Sequence, residues 1–135
     1  MTLLQYVYIY LATVPVFFII DMLWIGFIAK DFYAKQIGSL LGPINWSAAI
    51  IFYLLYIIAI IVFAVAPALA QKSFITALTL GAFFGFIAYA TYDLTNLATL
   101  KNWPLTVTLV DMLWGTVLTG AVASISYFIA SKFIV

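Results

Sequence analysis

The chain has 135 residues, of which 68% are hydrophobic, 19% aromatic and 7% charged, and its formal net charge is +1. Soluble domains carry about 25% charged residues, so this composition excludes soluble classes and indicates a polytopic membrane protein. The absence of Cys and His excludes disulfides, thiol chemistry and imidazole ligands. The five lysines are scattered and form no basic patch, so we expect no nucleic-acid partner.

Four apolar segments are long enough to cross a bilayer, which requires about 20 residues per helix. They predict an all-α membrane protein in which four transmembrane helices form an antiparallel bundle, with one transmembrane domain over residues 1–135. No positively charged n-region or cleavage pattern precedes the first segment, which we interpret as a retained helix surrounded, like the others, by membrane lipids. The helices are expected at Leu3–Ala29, Trp46–Ala70, Ser73–Thr99 and Pro104–Ser131. The longest connector is expected at Lys30–Asn45.

The first predicted helix contains the sequence Asp21-Met22-Leu23-Trp24, which places an acid in a run of hydrocarbon side chains. The same four residues recur from Asp111 to Trp114 in the fourth predicted helix. An ionisable residue at the bilayer centre costs roughly 2.5–3.5 kcal/mol, so we expect both acids to avoid lipid. The copies lie in helices of opposite direction and at one depth, which neither a tandem nor an inverted repeat explains. We interpret the common depth of their acids in the membrane as the feature that the two copies share.

The second predicted helix has few polar side chains, namely Ser47, Tyr53 and Tyr56, and its remaining residues are almost all hydrophobic. We interpret this helix as a scaffold that mostly faces lipid. The candidate site is therefore assigned to the first, third and fourth helices.

The third predicted helix carries a polar face. Tyr89, Asp93 and Asn96 have the i, i+4, i+7 spacing that places side chains on one side of a helix, and Tyr92 flanks them. The corresponding residue on the fourth helix is Thr108, one turn before its acid. These positions predict a polar stripe between the two helices.

Small residues indicate where helices approach closely. Gly81 and Gly85 form a G-x-x-x-G pattern on the third helix, and Thr116, Gly120 and Ser124 form a ridge on the fourth. We assign both patterns to helix packing.

Three acids are expected at one depth. Asp93 and Asp111 stand symmetrically about the tight turn between the last two helices, and Asp21 reaches the same leaflet. Lys30 and Lys101 lie two turns or more nearer the surface, so three like charges without a close cation are expected to share protons or hold a cation. The candidate ligand- or proton-binding residues are Asp21, Tyr89, Tyr92, Asp93, Asn96, Thr108, Asp111 and Trp114, the last as a pocket wall.

Several short motifs carry a resemblance to a known family. They are Tyr92-Asp93-x-x-Asn96, Trp103-Pro104 and Asp111-x-x-Trp114-Gly115, together with the earlier IIDMLWIG. Over essentially its whole length, the chain resembles small uncharacterised bacterial integral membrane proteins grouped as a domain of unknown function. The resemblance implies a multi-pass protein of the bacterial inner membrane, and it implies no particular reaction or ligand.

Three functions fit these residues. We rank first a protein that binds or transports a proton, a metal ion or a cationic small molecule, with protonation coupled to release. Transport would require a homodimer, because four helices rarely enclose a complete path. The second is a structural or regulatory subunit in which the polar cluster packs helices. The third is an enzyme acting on a lipid through an Asp acid and base. No motif names a reaction, so we assign no catalytic residue and no cofactor, and the identity of any metal is left open.

Overall fold

The computed structural model describes residues 1–135 and is 87% helical, with no strand. Four helices are long and apolar enough to cross a membrane, and a fifth, shorter helix lies in the first connector. Two of the long helices contain a five-residue π-helical segment, at Trp24–Ile28 and at Ile61–Val65. The helices are α1 (Leu3–Ile28), α2 (Lys30–Ile37), α3 (Trp46–Gln71), α4 (Phe74–Thr99) and α5 (Leu105–Phe133).

The prediction of an all-α protein with four spanning helices is confirmed, and the observed ends of the long helices lie within two residues of the expected ones. The first connector differs from the prediction because it contains α2. Asp31 lies in the first turn of α2 and Lys35 in its last turn, the arrangement that complements the helix dipole. A helix of eight residues is too short to span a bilayer, so the length criterion overlooked it.

Local residues explain where the long helices begin and end. The side chain of Asn45 accepts a hydrogen bond from a backbone N–H in the first turn of α3, and Ser73 does the same for α4. Lys72 and Asn102 have φ values of 51° and 60° in the two tight turns. The left-handed conformation of these residues reverses the chain within a few residues, which gives an antiparallel arrangement of α3, α4 and α5.

Two buried stripes place the acids inside the bundle. On α1 the buried residues recur every four positions and end at an acid: Ile9, Thr13, Phe17 and Asp21. On α4 the stripe is Ala77, Gly81, Gly85 and Asp93. Large hydrophobic side chains occupy the outward faces, as expected of a surface in contact with lipid. Asp21 and Asp93 are therefore directed away from lipid, as the insertion cost predicts.

Helix α3 is part of the core, contrary to the expectation of a lipid-facing scaffold. Ile57, Ile60 and Val65 are fully buried in the main hydrophobic cluster. The hydroxyl of Tyr56 also hydrogen-bonds the hydroxyl of Thr119 on α5, with an O···O distance of 2.7 Å. Hydropathy failed to locate this buried face because lipid and a protein core are equally apolar surroundings.

The closest helix contact lies between α4 and α5, where the G-x-x-x-G pattern predicted it. A Cβ atom on Gly81 would lie 2.6 Å from the Cβ of Ala123, and one on Gly85 would overlap the carbonyl oxygen of Gly115. The partner ridge on α5 consists of Gly115, Thr119 and Ala123, together with Gly120 of the expected ridge, whose Cα would lie 3.2 Å from a Cβ on Gly81. The other two expected residues, Thr116 and Ser124, are not among these contacts. Glycine at both α4 positions lets the two backbones touch.

We expect Gly85→Ala to destabilise the bundle, because the added methyl group overlaps backbone and the helices must move apart. Overpacking of this kind costs about 1–3 kcal/mol. The measurement is thermal unfolding in detergent, followed by circular dichroism. Gly26→Ala is the matched control, since no atom lies within 4 Å of a Cβ at that position. Equal unfolding temperatures for both variants would contradict the close contact.

Candidate functional site

A cavity of about 770 Å³ lies at the end of the bundle where α1 and α4 finish and α3 and α5 begin. All five helices and the connector that follows α2 contribute to its wall. Of its 17 lining residues 13 are hydrophobic, many of them aromatic, and two are acids. We call it the aromatic cavity, lined by Asp21, Trp24, Ile25, Lys30, Tyr33, Ile37, Leu41, Gly42, Ile44, Ala49, Phe52, Tyr53, Ala88, Tyr89, Tyr92, Asp111 and Trp114.

The two copies of the sequence Asp-Met-Leu-Trp meet in the wall of this cavity. The indole rings of Trp24 and Trp114 are stacked, with centroids 4.5 Å apart and an angle of 6° between their planes. Each ring comes from a different copy. Because α1 and α5 run in opposite directions, the two copies are antiparallel where they meet.

Hydrogen bonds cross between the copies. The Nε1–H of Trp114 donates to Oδ1 of Asp21 at 3.2 Å. In turn, the Nε1–H of Trp24 donates to the hydroxyl of Tyr33 at 3.1 Å, and that hydroxyl donates to Oδ1 of Asp111 at 2.7 Å. The tryptophan of each copy thus supports the acid of the other copy, once directly and once through Tyr33.

Asp93 lies behind the wall and does not line the aromatic cavity. It is fully buried, and neither of its carboxylate oxygens accepts a hydrogen bond from a donor. Tyr89 packs against Gly115 where α4 contacts α5, and one turn further along this contact Asp93 faces Asp111. Two of the three predicted acids therefore form a pair, while Asp21 shares the cavity with Asp111.

The other predicted site residues divide into two groups. Tyr89, Tyr92 and Trp114 line the aromatic cavity. Asn96 and Thr108 do not. Thr108 is buried in the first turn of α5, where its hydroxyl accepts from Nε1–H of Trp103 at 3.0 Å and donates to the carbonyl oxygen of Pro104 at 3.1 Å. The contacts of Thr108 hold the turn between α4 and α5.

A family model described as a predicted membrane protein, DUF2177, matches residues 6–128, a range that contains every residue of the aromatic cavity. The chain belongs to this family. Membership confirms the resemblance seen in the sequence and the membrane class, and the function of the domain is unknown. No curated protein and no solved structure matches the chain.

Sequence reasoning missed several cavity residues of this DUF2177 protein. Lys30, Tyr33 and Ile37 have i, i+3, i+7 spacing on α2, and this pattern becomes visible only when the segment is read as a helix. Lys30 lines the same cavity as Asp21 and Asp111. Phe52 and Tyr53 lie on α3, which was assigned to lipid.

Tyr33 links α2 to the transmembrane helices of the DUF2177 protein. Burial, together with the adjacent Asp111 carboxyl, raises the pKa of the Tyr33 phenol well above its ordinary value of 10.0. The hydroxyl consequently remains a donor at all physiological pH values. Any stabilisation from this hydrogen bond is fully present below pH 10 and is lost only as the pH rises through the elevated pKa.

We expect Tyr33→Phe to loosen α2, because the change removes the hydroxyl that bridges Trp24 and Asp111. Loss of one such hydrogen bond costs about 1 kcal/mol, which corresponds to about fivefold faster amide exchange where opening is local. The measurement is hydrogen–deuterium exchange of peptides that cover Lys30–Ile37. Tyr8→Phe makes the same chemical change on an outward-facing side chain and serves as control. Unchanged exchange in Tyr33→Phe would show that the bridge does not hold α2.

Proposed function

We propose that this protein binds a hydrophobic organic cation in the aromatic cavity. The observation that carries the proposal is the combination of a largely aromatic wall with the carboxyls of Asp21 and Asp111 in a space of about 770 Å³. Small-molecule sites have volumes of about 300–1,000 Å³ and place a few polar groups in an apolar wall. The aromatic cavity has both properties.

The size and the ligand groups favour an organic cation over the proton or metal ion that the sequence also allowed. No group of three acidic side chains converges in a way that would hold a metal ion. A bare ion would leave most of the apolar surface unused, whereas a ligand with a large hydrophobic part would cover it.

Aromatic side chains add a second attraction for a cation. The rings of Phe52, Tyr53, Tyr89 and Tyr92 surround the cavity together with the stacked indoles. A cation over an aromatic face gains about 0.5–2 kcal/mol, with the larger values in desolvated sites. Quaternary ammonium groups are commonly recognised by such aromatic walls.

Asp111 is the carboxyl best placed to face the charge of the ligand. It is half-buried, lines the cavity and accepts the hydrogen bond from Tyr33. The two acids in the lining outnumber the single cation, Lys30, so the lining has a net negative formal charge.

For the location we propose the bacterial inner membrane. The support is the helical character of all four spans, since proteins of the bacterial outer membrane are typically β-barrels. Any transport of the ligand across the membrane would require a homodimer, because the aromatic cavity lies at one end of the bundle and four helices rarely enclose a complete path.

A structural role is the second candidate, and the crossed hydrogen bonds favour it. Asp21 on α1 accepts from α5, and Asp111 on α5 accepts from α2. In this role the acids hold helices together and no ligand binds. The two candidates differ in what a charge-removing substitution does to cation binding.

The test is equilibrium dialysis of tritiated tetraphenylphosphonium against protein in phosphatidylcholine nanodiscs, with empty nanodiscs as blank. We expect saturable binding to the natural protein and at least tenfold weaker binding to Asp111→Asn, because a tenfold change corresponds to about 1.4 kcal/mol, within the range of a charge-assisted contact. Triphenylphosphine oxide, a neutral molecule with similar rings, should compete poorly.

Asp31→Asn is the matched control. It removes the same charge from an exposed residue of α2 that does not line the cavity, so binding should remain unchanged. Equal affinity of the natural protein and Asp111→Asn, or a loss of thermal stability in Asp111→Asn without loss of binding, would contradict the proposal and favour the structural role.

A further inference from the structure

The carboxyl of Asp93 is buried without a hydrogen-bond donor. The side chain is 0% exposed, and no donor reaches either oxygen. It lies on the buried stripe of α4, two turns beyond the close backbone contact at Gly85, and away from lipid. An ionised carboxylate in such a place would have neither water nor a cation to stabilise it.

The contacts between α4 and α5 place Asp111 opposite Asp93, because Gly85 meets Thr119, Tyr89 meets Gly115, and the next pair one turn further along is Asp93 and Asp111. Two ionised carboxylates are both acceptors, so they cannot hydrogen-bond and they repel each other. A single proton held between them removes the repulsion and creates a hydrogen bond. The pair therefore requires one proton.

The surroundings decide which carboxyl holds the proton. Asp111 accepts from Tyr33 at 2.7 Å and borders the cavity, where solvent or a ligand has access. Asp93 has no donor and no access. The charge is better stabilised on Asp111, and the proton belongs on Asp93. The ionisable or phenolic groups around the cavity are Asp21 on α1, Lys30 and Tyr33 on α2, Tyr53 on α3, and Tyr89 and Tyr92 on α4.

We infer that Asp93 is a protonated positioning residue: a neutral donor behind the cavity wall whose hydrogen bond, together with that of Tyr33, holds the Asp111 carboxylate ionised and oriented for a cation. This role deepens the proposed function and rests on it for the identity of the ligand. It assigns different tasks to the two acids, since Asp93 supplies a proton donor and Asp111 supplies the charge.

Because the two acids have different tasks, replacement by asparagine should have opposite effects on tetraphenylphosphonium binding at positions 93 and 111. Asparagine at position 93 retains a neutral donor, so Asp93→Asn should bind tetraphenylphosphonium within about twofold of the natural protein. Asp93→Leu removes the donor while keeping the number and branching of the heavy atoms, and should bind at least tenfold more weakly. Asp111→Asn removes the charge and should also bind weakly. Circular dichroism and thermal unfolding identify any variant that fails to fold.

Infrared difference spectroscopy of the unliganded protein at neutral pH tests the proton itself. We expect the spectrum of the natural protein minus that of Asp93→Asn to contain the C=O stretching band of a protonated carboxylic acid. The band should be retained in Asp111→Asn and in the control Asp31→Asn. This readout does not depend on any ligand and remains decisive if Asp93→Leu fails to fold.

The outcomes separate the inference from the proposed function. If tetraphenylphosphonium does not bind the natural protein, the proposed function is wrong, and the infrared band still decides whether Asp93 holds a proton. If it binds and Asp93→Asn abolishes binding while remaining folded, the positioning role is wrong. Absence of the protonated band from the difference spectrum would overturn the inference in either case.

Discussion

A carboxyl inside a membrane-spanning bundle must obtain its hydrogen-bond donor from the protein, because lipid supplies none. In this chain the donors come from aromatic side chains. Trp114 donates to Asp21, and Trp24 acts through Tyr33 on Asp111. Because each donor belongs to a different helix from its acceptor, the same bonds that satisfy the acids also fix α1, α2 and α5 relative to one another.

The close packing of α4 against α5 completes the cavity on its other side. Gly85 brings the backbones into contact, and Gly115 leaves room for the ring of Tyr89, which a Cβ at that position would overlap. Glycine on both helices therefore determines where an aromatic wall residue lies as well as how tightly the bundle packs. The cavity remains open because large rings and the short helix α2 surround it instead of filling it.

The sequence predicts what depends on a single helix. Span length, the avoidance of lipid by Asp21 and Asp93, and the contact at Gly85 all follow from hydropathy, insertion cost or spacing. The crossed bonds could not be predicted, because they depend on the rotation of α1 relative to α5, which residue spacing within either helix does not define. The buried face of α3 could not be predicted for a different reason, since a protein core and lipid select the same apolar side chains. Tyr33 was missed because α2, with eight residues, is too short to be recognised by a search for membrane-spanning segments.

The crossed pairing of acids and indoles is tested most directly by the indole N–H resonances of ¹⁵N-labelled protein in detergent. The chain has four tryptophans, so each resonance is assignable by a Trp→Phe variant. Asp21→Asn should move the indole proton of Trp114 upfield by weakening its hydrogen bond, with a smaller effect on Trp24. A larger shift of Trp24, the tryptophan in the same copy as Asp21, with Trp114 unchanged, would contradict the crossed arrangement.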